Sequence, residues 1–260
     1  MNKQIFRSLS KTTLLSIIFF SAVMGIAMTS VALNARWSPN FVWFPIIAIG
    51  LLCGTTYWLE KRWDIGLSHA PDLPWVRIYA IGIILTLCGA CFSAVNGVFS
   101  EKVRSASVFS SDASILFNVF YAFFMPVFAA ILAEVTFRGI LQSRMQKLLS
   151  LWPTLVIVTL INLMAHFPYN SLNELIDNFL GIFFILATWT YLRWLSQSLW
   201  PPLIMHGLHN FIFAAVAWFG GPIPHAEFSS ATITLIVFLG LATLGLTIFL
   251  AKDLHQSLLE

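Results

Sequence analysis

Eight long apolar runs constrain this chain more than any motif in it: they lie near residues 13–33, 41–59, 78–99, 113–141, 153–167, 175–193, 201–219 and 231–251. A helix rises about 1.5 Å per residue, so roughly 20 apolar residues cross a hydrocarbon layer about 30 Å thick. Runs of this length predict an all-α, polytopic membrane protein of about eight transmembrane helices. Composition points the same way. Of 260 residues, 58% are apolar and only 10% charged, against about 25% charged in soluble domains. That leaves too little polar surface for a water-facing enzyme. The 24 Phe and 10 Trp exclude a disordered chain, and three Cys are too few for a disulfide scaffold.

Two runs are irregular. The fourth is long and carries polar groups in its last third; the fifth is short and ends at Phe167-Pro168-Tyr169-Asn170. Most Trp residues fall near run ends, where amphipathic rings favour the headgroup level. With the N-terminus inside, eleven of the fourteen Lys and Arg lie on the inner side, and only Arg36, Lys102 and Arg104 lie outside. The excess of basic residues inside predicts that both termini are cytoplasmic. The net charge of +3 is then a record of topology and implies no nucleic-acid partner. Lys3, Arg7 and Lys11 before an apolar run imitate a secretory signal, but the run exceeds the roughly 7–15 residues of a signal core. No repeat or linker divides the chain, so 1–260 reads as one transmembrane domain. Cys88 and Cys91 sit inside the third run with no nearby base, which suits buried inert thiols.

Charge inside a bilayer is costly, so the few ionisable groups within apolar runs are candidates for function. Of the eleven carboxylates, Glu174 and Asp177 sit at the start of the sixth run, where an N-terminal helical turn favours negative charge, and only Glu134 stands deep inside a run. Arg138, four residues on, shares its helix face and can pair with it. His166, His206 and His209 lie within or at the edge of apolar runs, and His206 and Asn210 are spaced to project from one face. A lone membrane histidine commonly bonds a neighbouring helix. Glu134, His166 and His206 come from three separate helices, at depths that let them converge on a polar pocket. The core that carries the site spans about 113–219.

The motifs around these residues are Ala133-Glu134-Val-Thr-Phe137-Arg138-Gly139, then Asn162-Leu-Met-Ala-His166, then Trp200-Pro201-Pro202-Leu-Ile-Met-His206-Gly-Leu-His-Asn210. In order and spacing they resemble the CPBP intramembrane proteases, which include CAAX prenyl-protein endopeptidases and bacteriocin-processing proteins. The family pattern is Glu-Glu-x-x-x-Arg, Phe-x-x-x-His and His-x-x-x-Asn. The resemblance implies an intramembrane endopeptidase acting on a membrane-associated peptide or lipidated protein. It implies a water activated by the first Glu with His166, an oxyanion stabilised by His206 and Asn210, and an acidic motif oriented by Arg138.

Two positions depart from that pattern. Asn162 replaces a Phe, a change of packing. Ala133 stands where the general-base Glu belongs, and a methyl group takes no proton, so this chain is expected to be impaired unless Glu134 substitutes. Ala133 is either the mark of a natural pseudoprotease that binds a membrane peptide without cutting it, or an introduced Glu-to-Ala change. Retention of the other site residues favours the second. No cofactor is expected; the alternative is a zinc ion on Glu134, His166 and His206, whose residue types match a His₂Glu set. A transporter would show inverted repeats, and none is visible. Short loops and the lack of a targeting signal suggest a prokaryotic inner membrane.

Overall fold

The computed structural model describes residues 3–37, 43–67, 74–84, 87, 127–165, 172–220 and 229–257. Among them every regular element is helical, which bears out the all-α expectation. The helices are α1 (Lys3–Trp37), α2 (Trp43–Trp63), α3 (75–84), α4 (127–145), α5 (Leu151–Ala165), α6 (Leu172–Ser196), α7 (Trp200–Gly220) and α8 (Ser230–Ser257). Each overlaps one of the eight apolar runs. Over its described residues, no helix is long and apolar enough to cross a membrane. Cys88, Cys91 and His166 lie outside the described residues.

The residues cluster into two units, one of Met1–Ser68, Ala106–Ser150 and His206–Gly221, the other of His69–Ser105, Leu151–Met205 and Pro222–Glu260. In the second, α5 packs along α6, and Ile78, Ile81, Leu163, Leu186, Trp189, Leu192 and Met205 form a buried apolar core. The turn from α6 into α7 is built by serines. Ser196 Oγ donates to the Leu192 carbonyl (2.7 Å) and accepts from Ser198 N (3.2 Å), and Ser198 Oγ accepts from Trp200 N (3.3 Å). Pro201 and Pro202 follow in the first turn of α7, where a missing N–H removes no helical bond.

In the first unit α1 packs against α2 and against the second half of α4. That half is unusual. Glu134–Gln142 is a nine-residue π-helix, bonded i to i+5, that begins directly after Ala133 and returns to α-helix at Ser143–Met145. Such stretches are rare and usually confined to one turn. All nine of its residues are buried, so packing on every side holds it. Phe137 meets Phe20 of α1 with centroids 5.2 Å apart.

Gly139 faces the turn that ends α2. There Asp64 (φ 51°) and Gly66 (φ 90°) take left-handed backbone, and the Glu60 carboxylate accepts from Gly66 N (3.1 Å) and Leu67 N (3.2 Å). The turn presents Ile65, almost wholly buried, to the π-helix. A Cβ on Gly139 would lie 3.2 Å from Ile65 Cβ. Gly139→Leu is therefore expected to overpack this contact and destabilise by about 1–3 kcal/mol. Gly50→Leu on α2, where nothing lies within 4 Å, is expected to change stability little. Thermal unfolding of both variants checks this; equal losses would show that the contact does not matter.

Candidate active site

Glu134 and His206 meet across α4 and α7. Small residues make the approach possible. Ala130 lies one turn before Glu134 on the same face, and a Cβ built on Gly207 would sit 3.9 Å from the Ala130 methyl. With no bulk between the helices there, the next side chains on either side reach one another.

Glu134 Oε1 accepts from Arg138 Nη1 at 3.1 Å and lies 2.8 Å from His206 Nδ1. Beside a carboxylate and a guanidinium, Nδ1 is the donor, so the second ring nitrogen through which His206 can act is Nε2. Glu134 and Arg138 are fully buried and His206 is 5% exposed. Glu134 Oε2 is buried with no hydrogen-bond partner among the described residues. A buried carboxylate with one oxygen doubly engaged and the other unengaged is held in position while keeping acceptor capacity.

The predicted pairing of Glu134 with Arg138 is present, and the expected approach of Glu134 to His206 occurs. Asn210 is one turn beyond His206 on α7 and half-buried, and His209 is also half-buried. Ala133 is 5% exposed and in ordinary helical conformation (φ −65°, ψ −45°), at the junction where α-helix passes into π-helix. Three features of the site escaped sequence reasoning: the π-helix, the Ala130–Gly207 approach and the Ile65–Gly139 contact. The Gly after Arg138 and the Gly after His206 were the visible signals for the two contacts.

A buried Glu–Arg–His cluster in a helical protein defines a polar centre suited to acid–base or oxyanion chemistry. Residues 115–212 match the family model described as type II CAAX prenyl endopeptidase, Rce1-like. This interval lies inside the 113–219 segment that carries the three motifs. At the family level the likeness is to membrane-embedded proteases. No curated protein and no solved structure matches the chain.

Proposed function

We propose that this protein has the architecture of an intramembrane endopeptidase, in which His206 and Asn210 stabilise the oxyanion of a scissile carbonyl and Glu134 with Arg138 orients His206. The observation that carries this reading is the bond between Glu134 and His206 inside the segment that resembles CAAX proteases. In this reading the group that meets the oxyanion is the imidazolium, with Nδ1–H on Glu134 Oε1 and Nε2–H on the oxyanion. In this reading His166 and a carboxylate at position 133 hold the attacking water. Glu134 is a poor substitute for that carboxylate, because Arg138 and His206 both hold its Oε1.

Membrane embedding is supported by what the helices turn outward. Ile18 on α1, Leu51 on α2, Met164 on α5, and Leu235, Phe238 and Phe249 on α8 are all more than half exposed, a density of apolar surface that water does not favour. In length alone, at about 1.5 Å per residue, the 28 residues of α8 reach roughly 42 Å, against a hydrocarbon layer of about 30 Å.

The centre is proposed to work without metal. Zinc would bind a carboxylate oxygen at about 2.0–2.2 Å, yet the Arg138 guanidinium, 3.1 Å from Glu134 Oε1, sets a positive charge beside any cation held by that carboxylate, on Oε1 or on the unengaged Oε2. Elemental analysis of purified protein is expected to find no stoichiometric zinc; one zinc per chain, lost with His206→Ala, would reverse this.

The test of function is cleavage of a membrane-anchored, prenylated C-terminal peptide by the Ala133→Glu protein, with His166→Ala and His206→Ala made in the same background. Cleavage that persists without either histidine would sink the reading. Ala133 itself favours a second one, a pseudoprotease that holds such a peptide uncut. Retention of peptide by the Ala133 protein, without any gain of cleavage on Ala133→Glu, would select it.

A further inference from the structure

We infer that the end of α2, together with the end of α4, is a binding surface for anionic phospholipid headgroups. The inference rests on the membrane reading above and concerns a surface separate from the polar centre. Along the exposed side of α2 the residues change in order. Ile47 and Leu51 come first, 56% and 61% exposed; then Tyr57 and Trp58, 64% and 57% exposed; then Lys61 and Arg62, both exposed. From Leu51 to Trp58 is about 10 Å of helix, and from Trp58 to Arg62 about 6 Å. Apolar, aromatic, then cationic is the sequence of environments met on leaving a bilayer: acyl chains, headgroup level, phosphates.

The end of α4 adds to the same cluster. The Arg144 guanidinium lies 4.5 Å from the centroid of the Trp63 ring, so α2 and α4 finish side by side. Lys147 and Leu148 follow, both exposed. The Lys61 ammonium lies 5.6 Å from the Tyr57 ring, and Trp58 packs against Trp63 with centroids 6.3 Å apart. These contacts set cations over aromatic faces and restrain both.

Among the described residues the cluster holds four cations, Lys61, Arg62, Arg144 and Lys147, and two carboxylates. Of the latter, Glu60 is engaged in the turn by Gly66 N and Leu67 N, and Asp64 is exposed. The surplus of positive charge at the depth of the phosphates selects an anionic lipid as occupant. The complementarity is of charge, so phosphatidylglycerol should be preferred to zwitterionic phosphatidylcholine of the same chain length.

The experiment is native mass spectrometry of the full chain, purified in detergent and titrated with equal amounts of the two lipids. Each cation near an anionic surface contributes a factor of about five. Lys61→Gln/Arg62→Gln is expected to lower the preference for phosphatidylglycerol about twentyfold, and Lys147→Gln alone about fivefold. Unaltered helicity in each variant shows that the fold is intact. Equal retention of the two lipids, a preference that survives the double variant, or displacement of the lipid by soluble glycerol phosphate would overturn the inference. A chain that is monodisperse in water without detergent would instead overturn the membrane reading.

Discussion

Ala133→Glu is expected to raise the rate of peptide cleavage by about 10²–10⁴-fold, the range that a positioned general base supplies. The expectation depends on where residue 133 stands. It is the last residue before the π-helix, buried, and adjacent to a carboxylate that is already committed. A Glu placed there meets neither of Glu134's restraints and can accept the proton of an attacking water. In that background His206→Ala is expected to lower kcat by about 10²–10³-fold, the cost of removing one oxyanion donor from a buried site, with a smaller effect on KM. The split distinguishes the proposed role from a structural one, because a residue that only held the helices together would reduce the amount of folded protein and leave kcat per folded molecule unchanged. Rates from the two variants over a range of substrate concentrations decide it. An Ala133 protein as fast as Ala133→Glu would show that Glu134 is the base after all.

Much of this was legible in the sequence because the forces involved are local. The apolar runs mark the helices, since a long segment with few polar side chains satisfies its backbone groups most readily within itself. Glu134 with Arg138, and His206 with Asn210, follow from helical spacing alone. The π-helix does not follow from spacing. Its wider turn costs hydrogen-bond geometry and is held by contacts from distant parts of the chain, Phe20 against Phe137 and Ile65 against Gly139. Ile65 reaches Gly139 only because Glu60 bonds the turn after α2 and two residues of that turn take left-handed backbone. What brings His206 close enough to touch Glu134 was equally hidden. His206 and Gly207 are neighbours on α7, and the closeness that Ala130 and Gly207 permit lets His206 reach Glu134.

Glu134→Ala is expected to destabilise the protein by about 3–5 kcal/mol, because it takes the Glu134 carboxylate away from a guanidinium that is fully buried. The cost comes less from the lost bond than from the charge left behind. It follows that Glu134→Ala/Arg138→Leu should recover most of the loss, since a buried pair replaced by apolar groups is often neutral. The two changes should thus be strongly non-additive, with a coupling of about 0.5–3 kcal/mol or more. Reversible unfolding in mixed micelles measures all four corners of the cycle. The corresponding cycle between Glu134 and His206 should couple less in stability, since an imidazole that loses its carboxylate can release its proton and a guanidinium cannot. It should couple fully in cleavage by the Ala133→Glu protein. If Glu134 acts only by orienting His206, then once His206 is Ala the removal of Glu134 has nothing further to take from kcat. Additive losses in kcat would mean that Glu134 touches the substrate or the water itself, and the division of labour between residues 133 and 134 would have to be redrawn.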